Sequence, residues 1–541
     1  MTTLARDPSV RRRSATLSSP ARRPRLDESL DRARFVRPVM PLWLAVLAAA
    51  AAGVALDAGF PDKGWWPFTL VGVAVVLVAL IGRSWWQALL IGFVAGAVFW
   101  GVDIFWLTLY LGPVPWLGLA GFMGLYFAAG SLLIALVYRR ADRAWPSRWG
   151  RLGVLPLVIA GLWILREGVS AVWPWGGFSW GRVAMSQSES PTSDLVAWVG
   201  ISGLSFVLVW LVAFLVQVAR ESQLRPGIRV LTAGIAMAAV LAVPAWPAPA
   251  QGTSRIAAVQ GNSDAGLFSQ HSPGDILSDH VAGSLTLAGQ DPDMVVWPEN
   301  GSDLDPARYP YAAAALDEVS ATLGGAPIIA GTIQVRGDKV YNTSLLWQDG
   351  RVQDFYDKRH PVPFAEWMPA RDFFHALAPD LVDLVTRDYE FGSTDMTFDV
   401  NGIIAGISIC FDITDDAVMR ETTLEGAQVL LSQTNNADFG RTDENLQQLA
   451  IARLRAIELG RSVVNISTVG TSAIIAPDGS TIEEIPAYQP GTMLADVPLS
   501  TTLTPASVVG GQLEWLGAGF GLLGLAVALT ARPLRPRHPR G

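Results

Sequence analysis

Cysteine and histidine are nearly absent from this sequence of 541 residues, which has one cysteine, Cys410, and five histidines. A single thiol excludes an intramolecular disulfide. So few sulfur and imidazole side chains also form no ligand cluster of the kind that binds zinc, so we expect neither a metal nor a dissociable cofactor. The lone thiol is either an inert buried side chain or a reactive group, and composition leaves both explanations open.

Charged residues are also scarce, at 16% of the chain, whereas hydrophobic residues make up 50% and the mean hydropathy is +0.33. A soluble protein of this length has a more polar composition, so the sequence indicates a membrane protein. The net charge of −8 coexists with arginine clusters at both ends, so its sign says little. This pattern argues against nucleic acid as a partner.

Runs of about 20 apolar residues, the length that crosses a bilayer, predict a multi-pass α-helical membrane bundle of about eight spans. Arg166 and Glu167 interrupt the end of the fifth run, where a re-entrant segment is the alternative. Asp103 inside the third run is unexplained, unless packing satisfies it near the outer interface. The predicted spans are 40–58, 65–82, 86–111, 115–138, 152–168, 195–219, 228–246 and 507–530.

Arginine-rich segments alternate with arginine-poor ones between these spans, and the positive-inside rule assigns the arginine-rich side to the cytoplasm. Seven spans within 39–249 then place residues 250–505 outside the cytoplasm, and an eighth span at 506–530 returns the chain to the inside. The arginine-rich segments are a basic tail at 1–38, which we expect to be disordered, Arg83, the loops at 139–151 and 220–229, and a second basic tail at 531–541.

Residues 250–505 have a different texture, because short β-rich runs alternate there with helix-like stretches. Such alternation is typical of a layered α/β domain. A segment of about 255 residues can bury a substantial core of its own. The predicted strands are 254–260, 293–298, 326–332, 402–409 and 427–434.

Three polar residues in this region each follow an apolar strand. Cys410 comes directly after the predicted strand at 402–409, at an elbow that would expose a nucleophile beside free backbone N–H groups. Glu299 lies just beyond another apolar strand, where partial desolvation suits a carboxylate base. Lys358 follows a third β-like run. Taken singly they read as a buried cysteine, a solvated glutamate and an exposed lysine, but the conjunction is far more specific.

In this order and context, the three residues resemble the Glu–Lys–Cys triad of the carbon–nitrogen hydrolase (nitrilase) superfamily. With predicted spans on both sides of the domain, the chain resembles the apolipoprotein N-acyltransferase family. This resemblance implies a nitrilase-like αββα sandwich carried by the bundle, in a bacterial plasma membrane. The motifs that carry it are VQGN (259–262), VVWPENG (295–301), YNTSLLW (341–347), YDKRHPVPFAEWMP (356–369), ISICFD (407–412), SQTNNADFG (432–440) and QLAIARLRAIELGRSVVNIST (448–468).

The resemblance also assigns roles. It makes Glu299 the base, Lys358 the cation that stabilises the oxyanion, Cys410 the nucleophile and Glu366 a supporting carboxylate. Two further residues beside the thiol depart from familiar members, since Phe411 and Asp412 stand where Tyr and Glu are expected, and SDAGLFSQ after VQGN lacks an expected Trp. These departures leave the preference for acyl chain and acceptor open.

The implied reaction moves an acyl chain from a phospholipid to Cys410 and then to the N-terminal S-diacylglyceryl cysteine of an apolipoprotein. The backbone N–H of Phe411 would share the oxyanion with Lys358. One alternative is a membrane-tethered nitrilase-type amidase, although eight spans exceed what an anchor needs. Another is a non-catalytic lipid- or lipoprotein-binding membrane protein or a transporter, although an intact triad argues against a decayed domain.

An amphipathic stretch between Lys358 and Cys410 offers a route for the lipid. In 367–385, which begins at Trp367, apolar residues recur at helical spacing. This face either packs on a core or forms an interfacial arm that guides an acyl chain toward Cys410. The aromatic loop WPWGGFSW (173–180) is expected to form the facing wall. The residues of the apolar face are Phe373, Phe374, Leu377 and Leu381.

Overall fold

The computed structural model describes residues 36–263, 265–266 and 269–531. The basic tails predicted at 1–38 and 531–541 therefore lie almost entirely outside the described residues, as do Asp264, Leu267 and Phe268 of the SDAGLFSQ segment.

Within the described residues, eight apolar helices occupy the places of the predicted spans. Five are long and apolar enough to cross a membrane, and three are shorter, at 15 or 16 residues. Two single-turn helices lie in the connections before and after the fourth of these apolar helices. The helices are α1 Leu42–Asp57, α2 Trp66–Leu80, α3 Trp85–Asp103, α4 Leu107–Tyr110, α5 Pro113–Tyr138, α6 Ala141–Ala144, α7 Leu155–Val172, α8 Val196–Arg220, α9 Pro226–Leu241 and, at the other end of the chain, α16 Pro505–Thr530.

The fifth predicted span is one continuous helix, because a π-helical turn at Gly150–Val154 runs directly into α7. Its two charges neutralise each other inside the bundle, where the Arg166 guanidinium lies 3.1 Å from the Glu167 carboxylate. Trp163 Nε1 also donates to Glu167 Oε1 at 2.8 Å, and the guanidinium lies 4.3 Å from the centre of the Phe127 ring. With both groups partnered, the helix tolerates them, and the structure favours a continuous span over the re-entrant alternative.

In the part of the α/β domain that the structure describes there are twelve strands in two six-stranded sheets, and all five predicted strands are present. The sheet orders are β12-β1-β2-β3-β4-β5 and β11-β10-β9-β8-β7-β6, with parallel central strands and antiparallel edges. The strands are β1 Thr253–Gln260, β2 Met294–Val296, β3 Ile328–Arg336, β4 Lys339–Gln348, β5 Arg351–Asp357, β6 Thr397–Val400, β7 Ile403–Ile409, β8 Val429–Thr434, β9 Ser462–Ser467, β10 Ser472–Ile475, β11 Thr481–Ile485 and β12 Gly491–Pro498.

The two sheets pack face to face, with residues such as Val296 on one sheet and Ile407 on the other in one buried core. Helices cover both outer faces, which gives the predicted αββα sandwich. The helices on the first sheet are α10 Asp275–Leu285 and α11 Pro310–Thr322, and those on the second sheet are α14 Asp416–Leu424 and α15 Glu444–Leu459. Two short helices, α12 Arg371–Leu377 and α13 Pro379–Val382, lie in the connection after β5 and have a small apolar cluster of their own.

Helix α15 joins the sandwich to the bundle. Nearly all of its side chains are buried, and Ile451 and Leu454 belong to the same apolar cluster as the membrane helices. On its bundle-facing side, Gln447 accepts a hydrogen bond from Trp180 Nε1 at 2.8 Å and donates to the backbone oxygen of Asp103 at 3.0 Å. Asp103 thus ends α3 at the contact between the two parts of the chain. Gln447 Nε2 also lies 3.4 Å from Asp103 Oδ1, whereas the buried Oδ2 has no hydrogen-bond partner among the described residues, so packing satisfies this carboxylate only in part.

Candidate active site

The polypeptide turns sharply at Cys410. Strand β7 ends at Ile409, and Cys410 then adopts a φ of +50° as the first residue of a 3-10 turn, Cys410–Thr414. A residue with a side chain rarely adopts this conformation unless its surroundings hold it there. One support is the buried Asp412 carboxylate, which accepts hydrogen bonds from the backbone N–H of Ile409 at 3.3 Å and the hydroxyl of Tyr356 at 2.9 Å. The strand-to-turn elbow predicted at the thiol is therefore present.

Glu299, Lys358 and Glu366 lie together beside this elbow. The Lys358 ammonium is 3.5 Å from Glu299 Oε1 and 2.8 Å from Glu366 Oε2, and its side chain is 1% exposed. Asn342 on β4 links the two carboxylates, because its Nδ2 donates to Glu299 at 2.7 Å and to Glu366 at 2.9 Å. The Glu299 carboxylate also faces the Cys410 thiol. The structure thus brings the four sequence-predicted polar residues into one cluster, in which Glu299 and Lys358 are buried and Glu366 and Cys410 are partly buried.

Burial and charge set the protonation states of this cluster. Burial raises the pKa of the Cys410 thiol well above its usual value, and the neighbouring Glu299 carboxylate adds to the effect. Burial also raises the pKa of Glu299, although the Lys358 ammonium opposes this. For Lys358 itself, burial acts against the charge, but the carboxylates of Glu366 and Glu299 outweigh it and raise the pKa well above its usual value. A protonated thiol therefore lies beside a carboxylate base and a permanent cation.

A polar side chain on α15 also lies next to the Cys410 thiol. Gln448 Nε2 lies 3.8 Å from the Cys410 sulfur, and its Oε1 accepts from Asn436 Nδ2 at 2.8 Å, which fixes the nitrogen toward the sulfur. Asn436 Nδ2 also donates to Glu444 Oε2 at 2.8 Å. Burial raises the pKa of Glu444 to about 8, so this carboxyl is protonated at neutral pH.

Asn342, Asn436, Glu444 and Gln448 were not predicted individually. Asn342, Asn436 and Gln448 fall within segments that carry the family resemblance, which marks those segments but does not say which side chain points at the thiol.

Aromatic side chains from the bundle cover the thiol turn. Phe411 stacks on Phe178, with ring centroids 5.9 Å apart and planes 9° apart, and also lies parallel to Trp180 at 6.4 Å. Phe178 and Trp180 belong to the loop at 173–180. The structure therefore brings this predicted aromatic wall next to the residue that follows Cys410. Burial raises the pKa of Asp412, the other departing residue, to about 6.

The amphipathic stretch after Lys358 is split between two environments. Phe373 and Leu377 on α12 are 62% and 68% exposed. Phe374 turns inward instead, with its ring centroid 5.0 Å from that of Phe364 and 5.8 Å from that of Trp175 in the aromatic loop. One side chain of the predicted apolar face, Phe374, therefore packs against other aromatic rings, whereas Phe373 and Leu377 are exposed. Trp367 is half-buried against Phe391, at 5.3 Å between ring centroids, and Leu381 is also half-buried.

Comparison with known proteins matches both parts of the chain. Residues 52–214 match the apolipoprotein N-acyltransferase N-terminal domain, and residues 255–504 match the carbon-nitrogen hydrolase family. A protein of Mycolicibacterium smegmatis named apolipoprotein N-acyltransferase is 31% identical over 530 residues, which cover 92% of this chain and 87% of that protein. One of the same name from Pseudomonas syringae pv. tomato is 29% identical, over 86% of this chain and 93% of its own length.

Among solved structures, an amidase from a Nesterenkonia species is 17% identical and covers 47% of this chain and 93% of its own chain, with a TM-score of 0.36.

Proposed function

Because this chain belongs to the apolipoprotein N-acyltransferase family, and is thus a bacterial membrane acyltransferase that N-acylates lipoproteins, we propose that Cys410 carries the acyl chain between a phospholipid donor and the lipoprotein. Glu299 is the base, Lys358 is the oxyanion-stabilising cation and Glu366 holds Lys358 in place. The observation that carries this proposal is the single cluster of Glu299, Lys358 and Cys410, in which the buried ammonium is 3.5 Å from the base.

The first step forms a thioester on Cys410. Glu299 takes the thiol proton, and the thiolate attacks the ester carbonyl of the phospholipid. The negative oxygen is held by the Lys358 ammonium and the backbone N–H of Phe411. When the tetrahedral intermediate collapses, the C–O bond breaks and the lysophospholipid leaves with the proton from Glu299.

The second step transfers the acyl chain to nitrogen. The α-amine of the lipoprotein's N-terminal S-diacylglyceryl cysteine attacks the thioester carbonyl, Glu299 takes a proton from that nitrogen, and the same groups hold the oxyanion. Collapse breaks the C–S bond and leaves an amide, and the Cys410 thiolate regains its proton from Glu299. Both acyl carriers therefore use one site in turn.

The location of the reaction follows from the arginine distribution, since the arginine-rich segments on one side support an extracytoplasmic α/β domain. The bundle also supplies part of the wall of the site, through Phe178 and Trp180. This argues against the tethered-amidase alternative, in which the bundle is only an anchor.

The test is to isolate the acyl-enzyme. Incubating the purified full chain with phospholipid vesicles, without any lipoprotein, should acylate it through a hydroxylamine-sensitive bond. Cys410→Ala should give no such adduct, and Glu299→Gln should give little because no carboxylate is available as base. A normal thioester yield from Cys410→Ala, measured by intact-protein mass spectrometry, would remove Cys410 as the nucleophile.

A further inference from the structure

The turn that begins at Cys410 is held by a residue of the membrane part of the chain. Arg182 lies in the segment between α7 and α8, and its guanidinium is 2% exposed. It forms a two-point contact with Asp416, with Nη1 2.6 Å from Oδ2 and Nη2 2.8 Å from Oδ1. Asp416 begins α14, two residues after the thiol turn ends. Paired bonds of this kind fix direction as well as distance.

A second arginine, which belongs to the sandwich, also binds the Asp416 carboxylate. Arg455 on α15 is fully buried, and its Nη2 is 2.6 Å from Asp416 Oδ1 and 3.0 Å from the backbone oxygen of Thr414. Its Nε donates to the backbone oxygen of Ile413 at 2.9 Å. The last two residues of the thiol turn are therefore held by Arg455, which shares the Asp416 carboxylate with Arg182.

The network continues back into the bundle. Arg455 Nη1 pairs with Glu458 at 2.5 Å, and Glu458 Oε1 accepts from the backbone N–H of Ile201 at 3.1 Å. Ile201 follows Gly200, where α8 is interrupted by a φ of +76°. The two arginines and two carboxylates balance in charge, which is the condition under which a buried ionic cluster is tolerated. Glu167 on α7 and Glu514 on α16 also face Arg182 and favour its charged form.

Two further contacts join the same segment to the thiol turn. The hydroxyls of Ser179 and Thr414 are 2.7 Å apart, and Phe178 stacks on Phe411. The turn is thus contacted by the bundle at its second residue, at its last residue and at the first residue of the helix that follows.

We propose that Arg182 and Asp416 form a clamp through which the membrane bundle sets the position of the Cys410 thiol. Arg182 is a positioning residue, because it acts through the turn and is not itself assigned a contact with the sulfur. The proposal rests on the assignment of Cys410 as the nucleophile. A φ of +50° at Cys410 persists only if neighbouring structure enforces it, and the clamp supplies that enforcement from outside the sandwich.

The consequence of releasing the clamp follows from the cluster around the sulfur. The titratable groups that face the thiol are Glu299, Lys358, Glu366 and Glu444. A displaced sulfur would separate from its base and from the cation, and a misplacement of about 1 Å is enough to slow an enzyme reaction roughly a hundredfold. It would also be less buried, and burial is the largest cause of its raised pKa.

The experiment compares wild type with Arg182→Met in the full chain. Acyl-enzyme formation from phospholipid vesicles should fall by about 10- to 100-fold. The pH midpoint for alkylation of Cys410 by iodoacetamide should move down toward that of an ordinary cysteine. Because the sequence contains one cysteine, alkylation reports on this site alone. Arg182→Lys keeps the charge but loses the two-point geometry, so it should recover part of the acylation rate.

Arg151→Met is the matched control, because it breaks a partly buried ion pair, with Glu221 at 2.7 Å, in the arginine-rich loop region of the bundle. It should change neither the acylation rate nor the alkylation midpoint, even if it lowers the melting temperature. An unchanged midpoint in Arg182→Met would overturn the clamp, whether or not the melting temperature falls, since a purely structural role predicts that result.

If Arg182→Met does not fold, Arg182→Lys and Ser179→Ala decide the question, and wild-type values in both would reject the proposal. The alkylation readout requires no lipid. A failure of the proposed function, seen as the absence of a thioester in wild type, is therefore distinguishable from a failure of the clamp.

Discussion

Lys358 occupies the centre of the polar cluster, between Glu299 at 3.5 Å and Glu366 at 2.8 Å. If its charge stabilises the oxyanion, Lys358→Ala should lower the rate of acyl-enzyme formation by about 10²–10³, the usual effect of removing one such donor. Lys339→Ala is the matched control, because it removes an exposed ion pair with Glu390 in the same domain and should leave the rate unchanged. Near-normal acylation of Lys358→Ala in single-turnover measurements would remove it from the site.

Glu444 gives a prediction about pH. Burial raises its pKa from an ordinary 4.5 to about 8, so the folded protein holds a proton there that the unfolded chain has already lost. The stabilisation is complete below about pH 4.5 and is lost as the pH rises through 8, and each pKa unit corresponds to about 1.4 kcal/mol.

Glu444→Gln cannot ionise but keeps an oxygen that can accept from Asn436. Between pH 5 and pH 8.5, wild type should therefore lose more thermal stability than this variant, while both form the acyl-enzyme. Parallel melting curves over that range would show that Glu444 is not protonated in the folded protein.

At the scale of elements, the apolar side chains of helix α12 lie in two different environments, although the sequence predicted that they form one apolar face. Phe373 and Leu377 are exposed, whereas Phe374 contacts Phe364 and Trp175. Exposed apolar side chains on a short amphipathic helix beside a membrane bundle suit contact with the lipid surface. Phe374 instead connects this helix to the aromatic loop at 173–180.

Substitution of the exposed pair tests this division. The double variant Phe373→Ser and Leu377→Ser should slow acylation by vesicle phospholipid roughly tenfold, which corresponds to about 1.4 kcal/mol of lost apolar contact. It should spare acylation by a short water-soluble ester, because the triad is untouched. Phe374→Ser should lower the melting temperature. Equal loss with both donors in the double variant would show that these side chains do not act on the lipid.

At the scale of the whole molecule, one apolar cluster includes both the membrane helices and α15 of the sandwich. Because the two parts of the chain share this cluster, the orientation of the membrane helices also sets the side of the membrane on which the sandwich lies. The arginine-rich segments predict that this side is extracytoplasmic.

Site-specific labelling in intact cells measures this orientation. A tag within 139–151 or after residue 531 should be protected from an impermeant reagent, whereas one in 478–482, which covers part of the turn after β10 and the start of β11, should react. Permeabilised cells, in which every tag should react, provide the control. Reactive tags at 139–151 with a protected turn would reverse the assigned topology.

Features that depend on a local pattern of residues could be predicted from the sequence alone. Within the described residues, the apolar runs located eight apolar helices, five of them long enough to cross a membrane, and short β-rich runs located five strands of the sandwich. Glu299, Lys358 and Cys410 could be predicted as a set because each follows an apolar or β-like run in a distinctive local context, although the strands before Glu299 and Lys358 lie in one sheet and the strand before Cys410 lies in the other. The resemblance to a known family then added their roles.

Contacts between residues that are far apart in the chain could be seen only in the folded structure. Arg182 and Asp416 are separated by 234 positions, and no periodicity or motif links them. The amphipathic pattern of α12 likewise could not say that Phe374 turns inward while Phe373 does not, because helical spacing defines a face but not what covers it. The thiol turn at Cys410 is predictable as an elbow, but some of the groups that hold it, such as Arg182 and Phe178, come from the membrane bundle, and their contacts arise only when the two parts of the chain pack together.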